Sequence, residues 1–158
     1  MYRVLITGDI HPNGLKKLEQ ERDIEFQFSP DLPYEDVLRI IQPFHCILSR
    51  SETRVNKEMI EAASELKVIA RAGVGVGNID VEYATERGIL VINTPGKNTN
   101  SAAELTMGLL LSAFRKIVPA HQSMQSLNWD RHRFNGGELM NKCLGIIGLG
   151  NVGHRVAR

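Results

Sequence analysis

At 158 residues, with 42% hydrophobic and 23% charged residues, the chain suits one globular domain, or one domain and part of a second. A net charge of +1 excludes a bulk electrostatic partner such as nucleic acid or an anionic membrane surface. The two cysteines, Cys46 and Cys143, have no metal-ligand spacing and sit in separate apolar runs, so reduced thiols in a cytoplasmic setting are expected.

The N-terminus, "MYRVLITGDI", enters a strand pattern at once and shows no signal-peptide organisation. Strands are expected over 4–7, 24–28, 46–48, 68–70 and 89–92, with helices over 14–20, 34–41, 57–64 and 81–86 between them. In the second helix Val37, Leu38, Ile40 and Ile41 form one apolar stripe. Asn56 and Asp80 are expected N-caps, and Gly88 a C-terminal stop. Alternation of this kind implies parallel pairing with helical crossovers, and so a doubly wound α/β domain over 1–98.

A polar, turn-rich linker, "NTPGKNTN", follows at 93–100. A long helix is expected over 101–116, with a stripe of Leu105, Leu109 and Leu110 and with Pro119 ending or kinking it. Its apolar core "LTMGLLLSAF" is about half the length needed to span a bilayer. A loop-like stretch then leads to a strand over 143–147. The turn Gly148-x-Gly150-x-x-Gly153 and the start of a helix close the chain. That spacing is used by dinucleotide-binding βαβ units, where glycines let backbone approach a pyrophosphate at a helix N-terminus.

Parallel sheets bind ligands beyond the carboxyl ends of their strands. Three segments occupy such ends: Gly8-Asp9, "SRSET" (49–53) and "RAGVGVGNID" (71–80). Glycines at 73, 75 and 77 permit positive φ and close approach, so that successive N–H groups can line an anion site. Arg50 offers a forked donor suited to carboxylate or phosphate. A tight strand-to-helix turn beside a solvated arginine is the alternative. Two rivals fit poorly. A phospho-receiver needs an aspartate where Ser49-Arg50 stand, and a flavodoxin needs a hydroxyl-rich loop where "TGDIHPNG" has only Thr7.

The segments "RAGVGVGNID", "INTPGKNTNSAAELTMGLLL", "NWDRHRFNGGEL" and "KCLGIIGLGNVG", in this order, resemble the D-isomer-specific 2-hydroxyacid dehydrogenases, most of all members acting on a phosphorylated acid. The resemblance runs from about Val4 to Arg158. It implies a flavodoxin-like substrate domain (1–98), then a linker helix and the first βα of an incomplete Rossmann domain (99–158). It implies NAD as cofactor and a small 2-hydroxy or 2-oxo acid as substrate. By this resemblance Gly73, Val74 and Gly75 would hold the substrate carboxylate, with Val74 also facing the nicotinamide. Arg50 and Ser51 would border the substrate, Asn98 would sit at the domain cleft, and Arg131, after Trp129, would reach a neighbouring subunit's substrate phosphate. Gly148, Gly150, Asn151, Val152 and Gly153 would cradle the cofactor pyrophosphate.

Two positions depart from the family pattern: Gly77 replaces an acidic residue and Asn100 an apolar one. The family's catalytic arginine, glutamate and histidine match no position in 1–158. His11, His45, His121, His132 and His154 have no acid partner at a useful spacing. The 158 residues alone are therefore expected to be inactive, to bind NAD weakly, and to self-associate, by exchange of 101–158 between chains. A non-catalytic binding or oligomerisation module is the alternative reading.

Overall fold

The computed structural model describes residues 1–158, which form two compact units, Met1–Lys97 and Asn98–Arg158. The first unit contains β1 (Tyr2–Ile6), α1 (Pro12–Glu19), β2 (Ile24–Phe28), α2 (Tyr34–Ile40), β3 (Cys46–Ser49), α3 (Lys57–Ala62), β4 (Val68–Arg71), α4 (Val81–Glu86) and β5 (Leu90–Ile92). The five strands form one sheet, all neighbours parallel, in the order β2-β1-β3-β4-β5. The chain leaves β1 for the edge strand β2, then crosses back over β1 to β3. The strand order therefore reverses between β1 and β3, the point at which open parallel sheets bind ligands beyond their strand ends.

Parallel strands buried by helices show apolar residues in register. Here Leu5, Ile47, Ile69 and Val91 lie side by side across four strands. Val37 and Ile41 from the second helix, Met59 and Ile60 from α3, and Ala84 from α4 close over that row. The expected N-caps are present: Asn56 Oδ1 accepts from the Met59 N–H at 3.1 Å, and Asp80 Oδ1 from the Tyr83 N–H at 3.0 Å. Gly88 takes φ +69°, the left-handed conformation that ends a helix.

On the opposite sheet face, α1 covers only part of the surface. A hollow of about 500 Å³ remains, lined by Tyr2, Val4, Leu18, Cys46, Val68 and Ile92 among others. Burial pushes the Cys46 thiol up to about 11, while Cys143 is exposed. The thiolate is the reactive form, so at pH 8 iodoacetamide should alkylate Cys143 and spare Cys46. Peptide mapping by mass spectrometry reads this directly, and equal labelling of both thiols in the folded chain would contradict the packing.

The first helix begins at Pro12 rather than at 14, because His11 caps it: its Nδ1 accepts from the Asn13 N–H at 3.2 Å, with proline as the first helical residue.

The second unit contains α5 (Thr99–Phe114), α6 (Ile117–Gln125) and α7 (Asn151–Ala157). The long helix ends earlier than expected, and Pro119 does not end it. Lys116 takes φ 52°, breaking the helix, and Pro119 then lies in the first turn of α6, where a missing N–H costs nothing. The expected strand over 143–147 does not form. No neighbouring strand pairs with it, so its apolar residues stay extended and Ile147 is fully exposed. Helices α5 and α7 pack together, with Ala103 buried, whereas Leu105 and Leu109 are each 62% exposed. Gly137 N–H donates to the Phe114 carbonyl at 3.0 Å, and a Cβ at Gly136 would collide with that same carbonyl, which accounts for the glycine pair of "FNGGEL". No helix is long and apolar enough to cross a membrane.

Candidate substrate and cofactor site

At the carboxyl edge of the sheet the apolar row gives way to a polar one. Ser49 pairs with Arg71, and Thr7 lies beside Ser49 one step past the last paired residues of β1 and β3. Thr7 and Ser49 are both buried, and the Thr53 hydroxyl donates to Thr7 Oγ1 at 2.9 Å. This row lies at the strand ends where the strand order reverses.

Gly8 and Arg50 pack directly against each other at that point. A Cβ on Gly8 would stand 2.6 Å from Arg50 Cγ and 2.8 Å from the Arg50 backbone nitrogen, so only glycine lets the two loops approach this closely. Arg50 is exposed, and its Nη1 donates to the Asp9 carbonyl at 3.1 Å. Ser51 follows on the same exposed loop. The loop is fastened from the far side, where Asn78 Nδ2 donates to the carbonyls of Arg50 (3.0 Å) and Thr53 (2.6 Å).

Gly73, Val74 and Gly75 leave the end of β4 beside it. The Gly73 carbonyl accepts from the Thr94 N–H at 2.9 Å and from the Thr94 hydroxyl at 3.2 Å, and the Val74 carbonyl accepts from Asn93 Nδ2 at 2.7 Å. With both carbonyls tied back towards the end of β5, the N–H groups of Val74 and Gly75 have no intramolecular acceptor. Two successive free amides suit a small carboxylate, and the guanidinium next to this segment is that of Arg71, at Gly73. The expectation of positive φ here is corrected: none of Gly73, Gly75 and Gly77 adopts it. What these glycines supply is space. A Cβ at Gly75 or Gly77 would meet nothing within 4 Å, whereas one at Gly73 would press on Arg71 Nε at 3.1 Å.

Four residues of this edge escape a reading of the sequence: Arg71, Asn78, Asn93 and Thr94. Arg71 opens the glycine segment at a strand end, a placement that could have flagged it. The other three act through hydrogen bonds that depend on sheet register.

In the second unit, Asn98 is the N-cap residue of α5 and its side chain makes no capping bond. Arg131 is exposed near Trp129, with its Nε 3.4 Å from His132 Nε2. Gly148 takes φ +92°, Gly150 is the N-cap of α7, and Asn151 and Val152 form its first turn. A Cβ on Gly153 would collide with the Gly148 carbonyl, while one on Gly150 would meet open space. A positive φ, a close helix-to-turn approach and an open N-cap are what a pyrophosphate-binding turn requires, so these residues fit that part of a dinucleotide.

The histidines serve elsewhere. His45 Nδ1 accepts from the Arg3 N–H at 3.0 Å, and its ring packs edge-on against Tyr2. His121, His132 and His154 are exposed, and none of the five histidines pairs with a carboxylate.

Comparison with known proteins bears on the family and the fold. The family model for the D-isomer specific 2-hydroxyacid dehydrogenase catalytic domain matches residues 4–151. D-3-phosphoglycerate dehydrogenase of Methanocaldococcus jannaschii is 46% identical over 158 residues, which is 100% of this chain and 30% of that protein. Among solved structures, the TT0316 protein of Thermus thermophilus superposes with a TM-score of 0.89 at 34% identity, over 98% of this chain and 51% of that one. NAD+-bound 3-phosphoglycerate dehydrogenase of Entamoeba histolytica gives a TM-score of 0.78 at 31% identity, over 99% and 49%. The chain thus spans between about a third and a half of the length of these relatives. With a family model covering nearly all of it, the chain belongs to the D-isomer-specific 2-hydroxyacid dehydrogenases.

Proposed function

We propose that this chain carries the substrate-carboxylate site and the pyrophosphate turn of an NAD-dependent D-2-hydroxyacid dehydrogenase of the phosphoglycerate type. The observation that carries this reading is the pair of free N–H groups at Val74 and Gly75, in a segment whose Gly73 and Val74 carbonyls are held by Thr94 and Asn93. In it, Gly73, Val74 and Gly75 bind the carboxylate of a 2-hydroxy or 2-oxo acid through backbone amides. Arg50 and Ser51 border that anion and orient it, and Asn98 lies at the substrate cleft. Val74 presents its side chain to the nicotinamide face. Gly148, Gly150, Asn151, Val152 and Gly153 hold the pyrophosphate. Arg131 reaches the substrate phosphate of a neighbouring subunit, and with Arg50 it favours a phosphorylated acid. NAD, when bound, supplies the hydride acceptor or donor. Two unpaired thiols suit a reducing, cytoplasmic setting.

Hydride transfer to or from a hydroxyl-bearing carbon also needs a group to move the hydroxyl proton. No histidine among residues 1–158 is oriented by a carboxylate for that task. The 158 residues alone should therefore give no NADH from D-3-phosphoglycerate and NAD, as followed by absorbance. Sustained turnover by the purified chain would overturn that expectation.

A second reading, a binding and oligomerisation module, is favoured by one surface. Leu105, Leu109, Leu111, Phe114, Ile117 and Val118 are all exposed on α5 and α6. Exposed apolar area of this density marks an association surface. Light scattering should give at least twice the 17.7 kDa chain mass, by docking or by exchange of the segment 101–158. A monomer at micromolar concentration would contradict self-association.

A further inference from the structure

We propose that Asn78 is a positioning residue for the anion site: its side-chain amide locks the loop bearing Arg50 and Ser51 to the loop bearing Gly73–Gly75. The proposal rests on the carboxylate-site reading above for its consequence, and on geometry alone for the lock itself.

Both amide protons of Asn78 are committed across the fold. One goes to the carbonyl of Arg50 at 3.0 Å and the other to the carbonyl of Thr53 at 2.6 Å, 28 and 25 residues away in sequence. The backbone on either side completes the fastening. The Asn78 carbonyl accepts from the Val55 N–H at 2.8 Å, the Val55 carbonyl accepts from the Asp80 N–H at 2.9 Å, and Val55 and Ile79 form a parallel bridge. This backbone zipper would hold residues 55 and 78–80 together with any side chain at position 78. The Ala72 N–H donates to the Ser49 carbonyl at 2.9 Å and the Thr53 hydroxyl to Thr7 Oγ1 at 2.9 Å, and between these points the side-chain amide of Asn78 takes hold of the Arg50 carbonyl. Asn78 Oδ1 is buried and accepts no hydrogen bond within the chain, so the side chain's hold is made by its amide donors alone.

The loop after β3 needs such a restraint. Residues 50–53 have no regular secondary structure and Arg50 is exposed. Apart from the contact of Nη1 with the Asp9 carbonyl, the Arg50 side chain has no hydrogen bond. A long guanidinium on a free loop loses much conformational freedom when it binds an anion. One whose backbone is already fixed loses less, and affinity rises accordingly. Asn78 thus acts on the substrate through Arg50 and does not touch it.

The test uses the whole 158-residue chain, with D-3-phosphoglycerate as probe, followed by amide shifts in NMR titration. Asn78→Ala removes the donors; Asn78→Asp keeps the shape but turns an oxygen towards two carbonyls; Asn78→Ser keeps one donor. Alanine and aspartate should weaken binding about five- to tenfold, and serine less. The double variant Asn78→Ala with Arg50→Ala should bind no more weakly than Arg50→Ala alone, the non-additivity of residues acting as one unit. Without ligand, backbone order parameters over 50–53 should fall from about 0.85 to below about 0.6 in the alanine and aspartate variants, with β3 and β4 unchanged. Additive effects, or unchanged order over 50–53, would overturn the proposal. So would loss of the fold in all three variants, since Asn78 would then be a folding element. If the native chain fails to bind the probe, the carboxylate-site reading falls, and the order parameters alone decide the lock.

Discussion

Truncating Ile47 to alanine is expected to destabilise the first unit by about 3–4 kcal/mol, the middle of the range for such large-to-small changes in a core. Ile47 sits on the central strand β3, is wholly buried, and lies between Leu5 and Ile69 in register. Helices α2, α3 and α4 press on the same cluster, so the space left by the lost carbons has little room to collapse. Domains are stable by only about 5–15 kcal/mol. The part-covered opposite sheet face puts this unit towards the lower end, so the variant should unfold at far lower urea than the native chain. Leu90→Ala is the control: Leu90 is 59% exposed, and its loss should change stability by no more than about 0.5 kcal/mol. Equal urea midpoints for the two variants would mean that the core lies elsewhere.

Placing a methyl group on Gly8 should have the largest effect on the site itself. Its position is occupied by Arg50 Cγ and the Arg50 backbone nitrogen, and the backbone atom cannot swing aside as a side chain can. Gly8→Ala should therefore cost about 1–3 kcal/mol, as overpacking does. It should also move Arg50 from its place, weakening anion binding about tenfold, the equivalent of about 1.4 kcal/mol. Gly75→Ala offers the contrast, since its Cβ enters open space. That variant should keep native stability within about 0.5 kcal/mol. Thermal unfolding and anion titration of the two proteins separate these outcomes. Native affinity in Gly8→Ala would show that Arg50 takes no part in binding.

The architecture of the first unit was readable because its signals are local. Apolar runs at 46–48 and 68–70, separated by a capped helix from Asn56, have few alternatives to a parallel sheet. Local signals also misled in two places. Pro119 read as a helix end, yet a proline in the first turn starts a helix as readily as one beyond the last turn follows it. Residues 143–147 have strand composition, but a strand exists only where another strand accepts its hydrogen bonds. The leucines at 105 and 109 form the stripe their spacing implies, although nothing in the chain covers them.

The site divides along the same line. Arg50 and Gly73–Gly75 follow the ends of β3 and β4, where a parallel sheet binds ligands, so position in the pattern makes them candidates. Asn78, Asn93 and Thr94 shape the same site through partners distant in sequence: Asn78 reaches back 28 residues, Thr94 back 21 and Asn93 back 19. Asparagine and threonine in turns are common for local reasons, and only the folded register distinguishes these from the rest. Of the reasons for glycine at 73, 75 and 77, positive φ does not hold, while the amides of Val74 and Gly75 are free of intramolecular acceptors.

The claim on which the functional account turns is that Val74 and Gly75 present their amides to a substrate carboxylate beside Arg50. An NMR titration of the 158-residue chain with D-3-phosphoglycerate tests it most directly. Saturable shifts should centre on the Val74 and Gly75 amides and the Arg50 Nε–H, and Arg50→Ala should lose them. Shifts centred elsewhere, such as on the apolar hollow around Val4 and Val68, or no saturable shift at Val74 and Gly75, would contradict the account.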